Sequence, residues 1–300
     1  MIEYLQFDQF DSWVFSALFV DLTVAVLLIV ALRFLFGLVA NVHTGDELSE
    51  RDNAAFGLSF AGGLLGLALM LTGAVSGNAA NSLSAELFSV VSYGLLGLVL
   101  IKAGRLIQDK LVLTNVNLGE QISQGNLSAA IVDIANSLAI GIVLRSVMLW
   151  VESDTVDGLL VVLVAFFAVQ LLLAVTVRLR LALYAKRNPD NCLQQAFADG
   201  NIAIALRYFG QLIGVALAMT AASGMIIYNP QHLVAALLAW LLVTLLLSLL
   251  IALLATISRK IVLMGIDVFE EVDQQKNVAV GAIEAALYIA IGLLMTALFG

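Results

Sequence analysis

The sequence predicts an all-α polytopic membrane protein of about eight transmembrane helices, and three observations lead there. Of 300 residues, 62% are apolar and only 12% are charged, whereas a soluble domain carries roughly 25% charged residues; mean hydropathy is +1.03. Eight apolar stretches are each long enough to cross a bilayer core about 30 Å thick, which takes around 20 residues of helix. One spacing is also written four times. Asn53, Asn126, Asn201 and Asn277 each have Glu or Gln six residues before them (Glu47, Glu120, Gln195, Glu271) and two small residues nine and thirteen after: Gly62/Gly66, Ala135/Ala139, Gly210/Gly214 and Ala286/Ala290. Self-similarity of this kind fixes architecture before any single residue is interpreted.

The stretches run over 12–40, 54–76, 86–112, 127–150, 156–184, 202–228, 233–262 and 278–299. The first is kept as a helix, not a cleaved signal, because Glu3, Asp8 and Asp11 precede it where a basic region belongs and no small-residue cleavage site closes it. Each even stretch opens at one of the four asparagines, which are expected to be N-caps, their side chains accepting from backbone N–H groups that lack a helical partner. The residues six before them read as solvated loop positions. The small pairs have the spacing that lets helix backbones approach closely, and the halves are expected to pack through the glycine faces of the second and sixth stretches. The first and third repeats share glycine there; the second and fourth share alanine and add an acid at +7, Asp133 and Glu284. The chain therefore reads as four parallel two-helix hairpins grouped into two four-helix halves, 1–150 and 151–300, joined at Glu152–Thr155.

Lysine and arginine collect after the odd stretches (Arg51, Lys110, Lys186, Arg187, Arg259, Lys260 and Lys276 among them), and the opposite loops, Gly77–Glu86, Glu152–Gly158 and Tyr228–His232, carry none. The positive-inside rule places the basic side in the cytoplasm and both termini outside it. The net charge of −8 comes largely from acids on that same side, among them Asp46, Glu50, Asp190, Asp199, Asp267 and Glu270. Such a surface argues against nucleic acid as a partner.

Asp52-Asn53-Ala54-Ala55, Gly125-Asn126 with Ala129-Ala130, Gly200-Asn201-Ile202-Ala203 and Lys276-Asn277-Val278-Ala279 resemble the tandem unit of the YjfL-like bacterial inner-membrane proteins, here in duplicated form. The resemblance implies an inner (plasma) membrane location and offers no catalytic residues to transfer.

Charges inside the hydrocarbon carry the remaining signal. Asp133 and Glu284 lie seven residues past their caps, about 10 Å down the helix, where a charge costs at least about 2.5–3.5 kcal/mol. Arg207, six past Asn201, sits at matching depth and is the expected counter-ion. Asp21 approaches from the outer half; Arg145 and the end-proximal Arg33, Lys102, Arg105, Arg178 and Arg180 are expected to snorkel. Asn136 and Ser137 share a face with Asp133, Gln211 holds the +10 place of Asn136 in the third repeat, and Tyr288 follows Glu284 by four. A polar seam thus runs along the fourth, sixth and eighth stretches.

No phosphate loop, His-Glu-x-x-His or Gly-x-Ser-x-Gly motif occurs. Cys192 is a single cysteine, and His43 and His232 have no metal-ligand spacing. Neither an enzyme nor a metal or cofactor site is expected. Two roles stay open: a conduit for protons, small cations or small amines with Asp133 and Glu284 as gates, or a non-catalytic platform whose acidic cytoplasmic hairpins recruit a soluble protein. Lipid and a second copy of the chain are the other candidate partners.

Overall fold

The computed structural model describes residues 12–40, 44–76, 82–151, 156–189 and 191–300. The N-terminal acids, His43, Asp190 and the loops at 77–81 and 152–155 lie outside the described residues. Eight helices are long and apolar enough to cross a membrane, and among the described residues there is no strand. They are α1 (Ser12–Ala40), α3 (Ala54–Ala74), α4 (Leu83–Ile107), α6 (Leu127–Trp150), α7 (Val156–Arg187), α9 (Ile202–Met225), α10 (Leu233–Val262) and α11 (Val278–Phe299). Boundaries differ from expectation by a few residues for local reasons. Helix α4 begins three residues early because the Ser82 hydroxyl caps it, accepting from Ala85 N at 3.3 Å.

The connections expected to be plain loops contain short helices: α2 (Thr44–Ser49), α5 (Leu118–Ser123) and α8 (Leu193–Ala198), with a wide turn over Glu270–Gln274 in the fourth place. A wide turn over Gln108–Val112 also extends α4. Every short segment ends the same way. The residue before each cap asparagine, Asp52, Gly125, Gly200 or Lys276, has positive φ, which reverses the chain and leaves the asparagine extended at the start of the next long helix. Each asparagine Oδ1 then accepts a backbone N–H: Phe56 at 3.1 Å, Ala129 at 3.2 Å, Ile204 at 3.1 Å, and both Ala279 at 3.1 Å and Val280 at 3.3 Å.

Helices α3, α6, α9 and α11 pack in a row in chain order, with the other long helices laid against them. The row's centre is the core: 72% of the spans of α6 and α9 is buried, against 50% for α3 and 33% for α11. Small residues set the spacing. A side-chain carbon on Gly66 would come within 2.5 Å of the Ser137 carbonyl oxygen on α6, and one on Gly62 within 3.0 Å of Ile134 Cα. Gly210 abuts Ala285 of α11 just as closely. Contrary to the expectation from sequence, the glycine faces of α3 and α9 therefore do not meet each other; each faces the next helix of the row within its own half. The halves join instead through α6 and α9. There Ser128 donates to Asn201 O at 3.1 Å, Ser146 and Thr220 share a hydrogen bond of 2.6 Å, and the Trp150 indole donates to Ile226 O at 2.6 Å.

The spans of the row are 21–24 residues long, whereas those of α4, α7 and α10 reach 30–33.

Candidate functional site

The two deep acids are both 1% exposed and both ion-paired. Asp133 is held by the guanidinium of Arg105 on α4, Nε to Oδ1 at 3.0 Å and Nη2 to Oδ2 at 2.7 Å, and by the Ser59 hydroxyl from α3. Glu284 takes Arg207 Nε of α9 on Oε2 at 2.6 Å and Arg259 Nη1 of α10 on Oε1 at 2.8 Å. Arg207 also donates to Asp273 at 2.6 Å and to the Val268 carbonyl at 3.4 Å. Burial pushes the Asp273 carboxyl above its ordinary range, with Arg207 pulling it back down.

Both acids thus meet an arginine from the preceding long helix and a donor six residues past the preceding cap. In an interior that disfavours lone charge, this pairing and hydrogen bonding is what lets the carboxylates stay buried. Arg105 was expected to snorkel; Asp133 instead draws it inward, and Arg207 does not reach Asp133's half of the pairing. Arg180 likewise turns to Gln211, its Nη1 donating to Oε1 at 2.5 Å. Arg145 donates to Thr72 at 3.1 Å.

The rest of the seam is less complete. Tyr208 donates to Asn136 Oδ1 at 2.9 Å, linking α9 to α6. Yet Asn136 Nδ2, the Ser137 hydroxyl and the amide atoms of Gln108 and Gln170 are buried and have no hydrogen-bond partner among the described residues. Asp21 stands apart from this cluster, beside Glu86.

Two cavities open toward the capped ends of the row. One of about 530 Å³ is lined by Lys102, Arg105, Asp109, Lys110 and Asp133; the other, about 410 Å³, by Arg180, Arg187, Arg207, Arg259 and Asp273. Cations outnumber acids in both linings. Among the described residues no group of three or more His, Cys, Asp or Glu side chains could hold a metal ion.

The residues six before the caps are not uniformly solvated. Glu47 is 2% exposed and accepts Arg51 at 2.7 Å and Asn53 Nδ2 at 2.9 Å; Glu271 accepts Asn277 Nδ2 at 2.7 Å. Glu120 and Gln195 are exposed. An acid within side-chain reach of an Asn amide across a one-turn helix is the signal that sequence reading passed over.

A family model, Domain of Unknown Function (DUF350), matches the chain twice in tandem, over residues 10–148 and 154–299. No curated protein and no solved structure matches it.

Proposed function

The chain belongs to the DUF350 family, in two tandem copies, and on that premise we propose that it is a non-enzymatic membrane conduit, with the Asp133 and Glu284 ion pairs as gates: Asp133 lines the first cavity, and Arg207 and Arg259, the partners of Glu284, line the second. The observation that carries this reading is the set of orphaned polar atoms beside the first pair: Asn136 Nδ2, Ser137 Oγ and both amides of Gln108 and Gln170. A network kept only for packing satisfies its members, since each buried polar group without a partner costs about 1–3 kcal/mol. Intramembrane acids facing a bundle interior are the usual marks of a pathway.

In the second cavity lining Arg207 and Arg259 are paired with Asp273 and Glu284, and Arg180 and Arg187 leave it net positive, which repels free cations and favours small anions over the amines and cations that the acids alone suggest. The distribution of lysine and arginine, and the likeness to YjfL-like proteins, support placing the capped ends in the cytoplasm of a bacterial inner membrane with both termini outside.

Proteoliposomes loaded with a pH-sensitive dye, assayed in chloride and in acetate, test the reading. Flux above protein-free vesicles is expected, lost in the folded D133N/E284Q variant. A wild-type protein no leakier than empty vesicles under both conditions sinks the conduit.

A platform role draws on a separate observation: Asp46, Glu50, Asp267 and Glu270 are all exposed on the capped side. Neutralising them should abolish binding of a basic soluble protein and leave flux intact.

A further inference from the structure

We propose that the protein assembles with further copies of itself head to tail, the free face of α11 in one copy docking on the free face of α3 in the next. Successive members of the row meet by one rule. The face at +9 and +13 from one cap asparagine packs on the face near +8 and +15 of the following helix: Gly62 on Ile134, Gly66 on Gly141, Gly210 on Ala285. The caps obey a matching rule. Asn53 Nδ2 donates forward to Ile122 O at 3.0 Å, Asn126 Nδ2 to Ala198 O at 2.9 Å, and Asn201 Nδ2 to Val272 O at 3.1 Å. Each cap therefore reaches the short segment that precedes the next row helix.

The row ends without satisfying this rule at α11. Asn277 Nδ2 has its bond to Glu271 within its own segment, and no forward carbonyl is among its partners. Ala282, Ala286, Ala290 and Ala297 are exposed on the forward face, the face that carries the interface in α3 and α9. At the other end, Ala61 is exposed on α3 at +8, where α6 and α11 receive their predecessor, and Leu65 is exposed one turn further on. The two faces are complementary parts of a junction whose cap bond is built three times inside one chain and whose small-residue contact is built twice, between α3 and α6 and between α9 and α11. Both are apolar, and Ala286 and Ala61, which would meet, are small, which suits close helix approach in lipid. Because the two faces differ, the contact is heterologous: it closes into a ring or runs on as a filament.

Disulfide trapping in native membranes tests this, in a Cys192→Ser background. Ala286 and the next copy's Ala61 hold the places of Gly62 and Ile134. Two differently tagged chains, one with Ala286→Cys and one with Ala61→Cys, should give a mixed-tag covalent dimer on co-expression, and neither should dimerise covalently alone. Ala286→Trp, at an exposed position, should leave melting temperature unchanged and shift the native mass from oligomer to monomer. Cross-linking of either single-cysteine chain with itself would make the packing symmetric and overturn the proposal. Absence of any cross-link, with a monomeric wild type by native mass spectrometry from membranes, would show that both faces meet lipid and would overturn it equally.

Discussion

Ser59 and Arg207 hold the same place in the two halves: each lies six residues past its cap asparagine and each donates to the buried acid of the next row helix, Ser59 to Asp133 and Arg207 to Glu284. One of the two positions carries a charge and the other does not. Among the described residues Arg105 is the ion-pair partner of Asp133, whereas Glu284 has Arg207 and Arg259 and shares the first with Asp273.

Arg207→Met should destabilise far more than Ser59→Ala. Losing one member of a buried pair costs about 3–5 kcal/mol, and Arg259 still holds one Glu284 oxygen, so the lower end is expected. Ser59→Ala removes one hydrogen bond from a carboxylate that keeps both Arg105 contacts, about 1–2 kcal/mol. Adding Glu284→Gln to Arg207→Met should recover part of the loss. Denaturant unfolding in detergent reads all three, and near-zero coupling between Arg207 and Glu284 would contradict the pairing.

The left-handed residues before the caps predict opposite signs for opposite substitutions. Gly125→Ala and Gly200→Ala should each cost about 1–2 kcal/mol, because an L side chain is strained at positive φ. Asp52→Gly relieves the same strain and should raise the melting temperature slightly, against the extra entropy of an unfolded glycine. Equal behaviour of the three variants would argue that the corners are not built this way.

Gly66 and Gly214 occupy equivalent positions and should not behave alike. A methyl on Gly66 meets the Ser137 carbonyl at 2.5 Å, while the nearest atoms to one on Gly214 are 3.5 Å away. Gly66→Ala is expected to cost about 1–3 kcal/mol and Gly214→Ala close to nothing. Thermal melts of the purified variants decide it.

Charge distribution predicts topology. A reporter fused after Gly300 should be active only outside the cytoplasm, and a thiol reagent should reach Cys192, partly exposed beside α8, only if it permeates the membrane. Activity of a cytoplasmic reporter at Gly300 would invert the orientation.

Spans and caps were legible because both are local: apolar runs of bilayer length, and an asparagine followed by alanines. Partner choice was not, because it depends on which helices lie side by side. Arg105 is seven residues inside Val112 and Asp133 six inside Leu127, so the antiparallel hairpin puts them level, and matching depths across it would have found the pair. The depth match of Arg207 to Glu284 succeeded for the same reason; Asp133 lies at the same depth on the neighbouring α6 but takes its partners from Ser59 on α3 and Arg105 on α4, while Arg207 takes its own on α11, so depth has to be read together with helix face. The glycine faces misled on a similar point: close-approach spacing says that a backbone comes near, not which one. The corners before the caps were half written, with glycine in two and Asp52 and Lys276 in the others, so composition masked a shared geometry.

The difference in helix length has a mechanical consequence. At 1.5 Å per residue the spans of the row measure about 32–36 Å, near the hydrocarbon thickness, while those of α4 and α10 measure about 45–50 Å. The first set is close to the hydrocarbon thickness; the second exceeds it, an excess taken up by tilt, by local thickening of the bilayer or by ends that enter the headgroups. Arg105 and Arg259 ride on the long spans, Asp133 and Glu284 on the short ones. A change in bilayer thickness therefore acts unequally on the two sets, and the Arg105–Asp133 and Arg259–Glu284 pairs are the buried charges that bridge them.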